Sequence, residues 1–475
     1  MSRLATKNMR IVIFGTGQYF ENRQFNILDT DEIVCFIDNN ANNKRVFYGK
    51  KVYLPEDINS FDYDVVLIMA SDRDSMINQL LQLSVLKTKI WTYEDYIRHS
   101  KNNYKYLDTR GIDSDCKVLI ITDGLKYDGG AISSINAAMA LVQKGYGVTI
   151  AAATLEEKIE SEILNKGISI IASSRLPYVG KEELSIFKSY DHIIVNTFPM
   201  LPSAYILSSY LNVVWWIHEP SDCEMYSFYK DTRRRYWQYD DIGHIKNNGV
   251  RIVSVSNVAK KAFESIYPNS IDGLLPMAIV DEKESKVVDD DRISFAIIGV
   301  LNRPKGHIEL LEAFLTLQDA GYKNTRCEII GKRLDESFCK EVDKYIDQSE
   351  NIEYLGILNR TQLRQEFRVI DVVVCASYEE TLSLTIVEGM MNSKICITTD
   401  NTGIAEYIED GVNGFICKAG NADSLAEKMK YIIDHFNELD EVRKNARKTY
   451  EKFFTLDILG ENLERELKLA EMDRR

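Results

Sequence analysis

Short apolar runs alternate along this chain with longer stretches in which apolar residues return every three or four positions. The runs at residues 10–14, 32–37 and 63–69 read as buried strands. A second series follows at 117–122, 148–151, 192–195, 213–217 and 251–255, and a third at 294–299, 326–330, 371–374 and 394–397. Between the strands lie amphipathic segments such as 130–141 and 307–314, and helical spacing with many charges closes the chain at 458–472. Alternation of strand and helix predicts doubly wound parallel sheets, an α/β fold. Polar residues separate the series, first at 101–105 and then in the charged stretch 281–292. The predicted organisation is an N-terminal Rossmann-like accessory domain over 1–108, a second α/β domain over 109–285, and a third over 286–475. Two such domains joined by a polar linker create an interdomain cleft, a common place for ligands.

A chain of 475 residues exceeds one core and fits about three domains. Its net charge of −14 argues against generic nucleic-acid binding. The eight cysteines show no C-x-x-C pair. Cys35, Cys375 and Cys396 fall in strand-like runs as small buried thiols, which suits a reducing cytoplasm. Neither a signal peptide nor an apolar run approaching the ~18 residues of a membrane span is visible.

The richest segment is Ser377-Tyr-Glu-Glu-Thr-Leu-Ser-Leu-Thr-Ile-Val-Glu-Gly-Met-Met391. It follows an apolar strand, turns, and enters a helix that carries Glu388. A helix start offers unpaired N–H groups and partial positive charge to a diphosphate. A carboxylate farther along can accept sugar hydroxyls, as the acidic residue of dinucleotide folds does. The loop from Gly299 to Gly306 lies in the same kind of place, and Arg303 and Lys305 could neutralise a leaving diphosphate. Read alone, it is more readily an ordinary strand-to-helix loop with solvated cations; opposite the Glu380-to-Glu388 element the functional reading is favoured.

Other candidates are weaker. Glu406 is either a polar contact in the same cleft or a helix-start acid. Gly129-Gly130 is either a phosphate-approach turn or only a tight turn. His218 ends a strand, where polar residues face the ligand crevice, but a structural histidine fits as well. Gly15-Thr-Gly17 with Asp38 partly matches a dinucleotide fingerprint, yet Phe20 replaces the third glycine, which favours a structural or regulatory domain. The basic and aromatic residues of 226–239 suit an anionic headgroup, a sugar phosphate, or a plain solvated helix face. Asp289 to Asp291 reads as a solvated spacer, and no constellation demands a metal.

Residues of about 117–470 resemble the family 4 retaining glycosyltransferases of the GT-B fold. Glu380-Thr-Leu-Ser-Leu-Thr-Ile-Val-Glu388 carries most of the resemblance, followed by Gly403-Ile-Ala-Glu406 and Asn413-Gly-Phe415. Lys305-Gly306, Gly129-Gly130 and His218 match the family's lysine-glycine loop, acceptor-domain glycines and histidine. Val300 stands where the family often has arginine, and Ser383 where it often has glycine. The resemblance implies two Rossmann-like domains facing a cleft, with the N-terminal one added. It implies transfer from a nucleoside diphosphate sugar, UDP-linked, to a glycan, polymer or glycoprotein acceptor. His218, Glu380, Lys305 and Arg303 would be catalytic. Gly129, Gly130, Gly299, Arg303, Lys305, Glu380, Thr381, Leu382, Ser383, Leu384, Thr385 and Glu388 would bind the donor. No further cofactor, metal or nucleic-acid partner is implied, and the setting is the cytoplasm with peripheral contact at the inner membrane face. Three rival readings remain: a partner subunit of another glycosyltransferase, a GT-B sugar-nucleotide epimerase, and a nicotinamide oxidoreductase built on the N-terminal domain.

Overall fold

The computed structural model describes residues 9–21, 23, 27, 31–41, 46–99, 104–107, 114–126, 129–173, 176, 184–219, 242–285 and 291–474. They fall into two compact units, one of residues 1–131, 146–195 and 199–211, the other of 132–145, 196–198 and 212–475. The basic and aromatic run at 226–239 and most of the aspartates of 289–291 lie outside the described residues.

The first unit holds a six-stranded sheet in the order Val46–Phe47, Lys50–Tyr53, Glu32–Ile37, Arg10–Phe14, Val65–Ile68, Ile90–Thr92. Only the hairpin between the first two strands is antiparallel. Both faces are covered: Ile11, Ile13 and Phe36 enter one apolar cluster, Val12, Phe14 and Cys35 another. That is why these strands read as continuous apolar runs. Asp38 ends the strand Glu32–Ile37, and its carboxylate accepts from the Thr16 backbone N–H (2.9 Å) and hydroxyl (2.6 Å). The acidic residue of the partial fingerprint is thus occupied within its own turn.

The same unit contains Lys117–Thr122 paired in parallel with Gly147–Ala152 and His192–Asn196, and Gly147–Ala152 paired with Ser169–Ala172. Lys105–Leu107, at the end of the polar stretch expected only to lead away, is an antiparallel edge strand on Ser169–Ala172.

In the second unit, Val213–Ile217, Arg251–Ser254 and Gly273–Leu274 pair in parallel. A separate all-parallel sheet has the order Ile352–Gly356, Thr325–Ile330, Ile293–Ile298, Val372–Cys375, Ile395–Thr399, Phe415–Cys417. Numbered along the chain these strands run 3-2-1-4-5-6. That order reverses between Ile293–Ile298 and Val372–Cys375, and the carboxyl ends of two such strands bound the ligand crevice of a doubly wound sheet. The helix Leu384–Met391 lies close on this sheet because Gly389 has no side chain; a Cβ there would stand 2.9 Å from Cys396 Sγ and 3.0 Å from Val373. Cys35, Cys375 and Cys396 are buried free thiols, as their apolar surroundings predict. Among the described residues no helix is long and apolar enough to cross a membrane.

Candidate active site

Two loops meet where the strand order reverses. One follows Ile293–Ile298 and contains Gly299, Arg303, Lys305 and Gly306. The other follows Val372–Cys375 and contains Ser377, Tyr378 and Glu380. Because their strands are hydrogen-bonded neighbours, the loops touch at once: the Tyr378 N–H donates to the Pro304 carbonyl at 2.9 Å. Gly306 has a left-handed conformation (φ 72°), and a Cβ on it would sit 2.0 Å from the Ala376 carbonyl oxygen. Only glycine permits this approach.

The contact delivers the Lys305 ammonium onto Glu380 Oε2 as an ion pair. Burial works against the charge on Lys305, but the adjacent Glu380 carboxylate outweighs it and holds the ammonium's pKa above its usual range. The next residue after the loop, His307, is fully buried, and burial pushes its imidazole down to about 4, with Lys305 acting in the same direction against the Asn302 backbone. Lys305 is therefore the cation at this spot. Arg303 is directed elsewhere: its guanidinium is exposed, stacks over Phe338 and pairs with Glu341 at 2.5 Å. The loop cations expected to act together are thus separated by a glutamate that lies 38 residues farther along the chain.

Thr381, Leu382 and Ser383 lead into the helix Leu384–Met391. Ser383 is its N-cap residue but makes no capping bond to the helix; its hydroxyl meets Thr385 Oγ1 at 3.0 Å instead. The first intrahelical bond runs from the Val387 N–H to the Ser383 carbonyl. The preceding amides of the first turn are the orphan donors every helix start presents. One turn on, Glu388 is buried at 7% exposure. Burial raises its pKa, and the charge of Arg360, which bonds Oε1, opposes the rise.

Arg360 is a site residue the sequence reading missed. It opens the helix Arg360–Glu366, whose start is fixed by a reciprocal capping box between Asn359 and Gln362. The spacing of Asn359 and Gln362 is a recognisable helix-start signal and would have placed Arg360 near the carboxyl end of the strand Ile352–Gly356.

Other expected residues are placed apart from this pair. Glu406 spends both oxygens on Asn257, accepting from its backbone N–H at 3.0 Å and its side-chain amide at 2.8 Å. It anchors the start of the helix Asn257–Glu264 rather than meeting Lys305 or Glu380. Nearby, Gly403 donates its N–H to the Glu380 carbonyl, and a Cβ on Gly403 would lie 1.9 Å from the Thr381 carbonyl oxygen. His218 follows Val213–Ile217 in the same unit. Its ring lies 4.4 Å from that of Trp216, neither ring nitrogen has a hydrogen-bond partner among the described residues, and burial pushes its pKa down to about 3. Its backbone N–H donates to Glu219, whose other oxygen takes the Phe198 N–H. Gly129 and Gly130 open the helix Gly129–Gln143 in the first unit, and a Cβ on Gly129 would meet nothing within 4 Å.

Residues 279–449, which contain the Lys305–Glu380 pair, Glu388 and Arg360, match the family described as glycosyl transferases group 1. The chain carries a group 1 glycosyl transferase domain. Residues 7–91 match a C2185-like N-terminal domain. The Staphylococcus aureus capsular polysaccharide biosynthesis glycosyltransferase CapM is 26% identical over 39% of this chain and 48% of its own length. The Acholeplasma laidlawii alpha-monoglucosyldiacylglycerol synthase is likewise 26% identical, over 44% and 50%. The chain thus spans about half the length of these curated relatives. Anabaena HepE, solved with UDP and glucose, superposes over 74% of this chain and 99% of its own with a TM-score of 0.61 at 16% identity. The glycosyl transferase domain therefore sits within a GT-B fold, as the Glu380-to-Glu388 motif implied.

Proposed function

We propose that this protein transfers a glycosyl group from a nucleoside diphosphate sugar, with retention at the anomeric carbon, to a glycan, polymer or glycoprotein acceptor. The observation that carries the reading is the Lys305–Glu380 pair, beside an uncapped helix start, at the strand-order reversal of the group 1 domain. The Lys305 ammonium and the first-turn amides of Leu384–Met391 would hold the diphosphate and stabilise the charge that grows as it leaves. Glu388 would accept the ribose hydroxyls, and Glu380 would lie against the donor sugar. His218, kept neutral by burial, would act on the reacting sugar as a hydrogen-bonding group and not as a cation. Arg303 would reach the diphosphate only after leaving Glu341. Gly129, Gly130, Gly299 and the stretch Thr381 to Thr385 would let backbone approach the substrates.

A UDP-linked donor is suggested by HepE, which was solved with UDP. A role in cell-surface polysaccharide or glycoconjugate synthesis is suggested by CapM. Retention follows from the family 4 resemblance of the Glu380-to-Glu388 motif. The division into 1–108, 109–285 and 286–475 is part of the same proposal, supported by the two family matches at 7–91 and 279–449. So is a cytoplasmic setting with peripheral membrane contact. The test is transfer from a panel of radiolabelled nucleotide sugars. Lys305→Ala and Glu388→Ala should each abolish most of it. Wild-type turnover in both would end the assignment.

A further inference from the structure

Arg360 joins two carboxylates from distant parts of the chain. Its Nε and Nη2 approach Glu282 Oε2 at 3.2 and 3.1 Å, and its Nη1 bonds Glu388 Oε1. Glu282 is itself held by Arg364 Nη1 at 3.5 Å, and Arg364 Nε reaches Glu284 at 3.0 Å. A guanidinium is a rigid planar fork, so fixing one edge on Glu282 fixes where the remaining nitrogen points. It points at Glu388. A carboxylate has about four lone-pair sites. Arg360 takes one side of Glu388, and no described residue bonds Oε2.

We propose that Arg360 is a positioning residue for donor recognition, holding Glu388 ionised and oriented so that its second oxygen stays open to sugar hydroxyls. The inference rests on the reading of Glu388 as the ribose-binding group. Without a cation beside it, a buried carboxyl group takes a proton and becomes part donor, a poorer match for vicinal hydroxyls. The charged groups facing Glu388 are Arg360 on the helix Arg360–Glu366 and Glu282 on the segment before Ile293–Ile298. On the helix Asp440–Phe453, Arg447 is taken by Asp281, Glu451 and the Met391 carbonyl. The strands beneath, Val372–Cys375 and Ile395–Thr399, contribute only the thiols Cys375 and Cys396 as titratable side chains. Asn392 binds the backbone carbonyl of Glu388, not its side chain. No second cation replaces Arg360 among these groups.

The experiment titrates the full chain with UDP and with GDP by calorimetry from pH 7 to 9.5. Each variant is expressed as a ratio to wild type at the same pH, which cancels the ionisation of the probe. Arg360→Met should weaken binding on the order of 10- to 100-fold at pH 7. The deficit should shrink as pH rises and Glu388 ionises without help. Glu388→Gln should weaken binding to the same extent at every pH, and Arg360→Lys should keep a flat ratio nearer to one. Wild-type affinity in Arg360→Met, or a deficit constant with pH, overturns the inference. If wild type binds neither probe, the donor reading fails instead, and thermal unfolding then decides the ionisation of Glu388. The stability loss of Arg360→Met should grow with pH, and that growth should vanish when Glu388→Gln is added. Parallel pH curves for the single and double variants would overturn the role of Arg360.

Discussion

Glu328→Gln should make this protein more stable in alkali and remove part of its pH dependence. Glu328 lies mid-strand in Thr325–Ile330, opposite Ala296 and Glu353, and is 4% exposed. Burial pushes its carboxyl up from 4.5 to about 7; Arg326, 3.0 Å away, works against this, while Glu366 and Glu353 add to it. Between those values the folded chain holds a proton that the unfolded chain has released. Stability from this group is therefore complete below pH 4.5 and is lost as pH rises through about 7. A rise of that size corresponds to about 3 kcal/mol once the group is fully ionised. Glutamine keeps the shape and cannot ionise, but it gives up the ion pair with Arg326. The expected net gain is about 1–2 kcal/mol at pH 8.5, with little change at pH 5. Urea unfolding of the full chain, followed for the transition that carries the group 1 domain, measures it. Equal midpoint differences between variant and wild type at pH 5 and 8.5 would show that Glu328 is ionised throughout, and the reasoning would fail.

Other outcomes follow from single contacts. Gly306→Ala forces a Cβ against the Ala376 carbonyl at a positive φ and should cost at least about 1–3 kcal/mol in thermal unfolding, with donor binding weakened because Lys305 shifts. Glu406→Ala leaves the Asn257 N–H without its acceptor and should destabilise by about 1–2 kcal/mol, read as a lowered melting temperature. His218 should show no proton uptake by NMR between pH 5 and 8. Because its pKa is depressed from 6.5 to about 3, its contribution to stability is present above 6.5 and is lost as pH falls toward 3, so His218→Gln should flatten that acid limb. Asp38→Asn should loosen the Gly15–Gly17 turn and lower stability by about 1 kcal/mol without changing transfer.

Burial accounts for much of what the sequence revealed, although Ser169–Ala172, buried at every position, was passed over. Val372–Cys375 and Ile395–Thr399 are covered on both faces, so their apolar runs were unmistakable. Ile352–Gly356 and Lys105–Leu107 sit at sheet edges, carry polar and exposed positions, and left no such run. Phe415–Cys417 was missed because three residues are too few to make a pattern. The Lys305 loop was legible because glycine and proline punctuate the end of its apolar strand, and the Glu380 loop because a polar run replaces the apolar one after Ala376. Which loop cation meets the carboxylate was not, since Glu341, which holds Arg303, lies on a different helix. Arg360 looked like any charge on a polar helix, and nothing local announces a partner 28 residues away.

The docking of Tyr378 on Pro304 and of Gly306 on Ala376 couples the two charge-bearing loops, so neither can lengthen without disturbing the other. Leu334 is 64% exposed and lies past the stretch after Thr325–Ile330 that is docked, where Gly331 packs on the Gly299 carbonyl and the Lys332 carbonyl accepts the Leu301 N–H. Insertions made at Leu334 should be tolerated, which makes it the place to graft new selectivity while the inner pair and the helix start at Arg360 are left untouched.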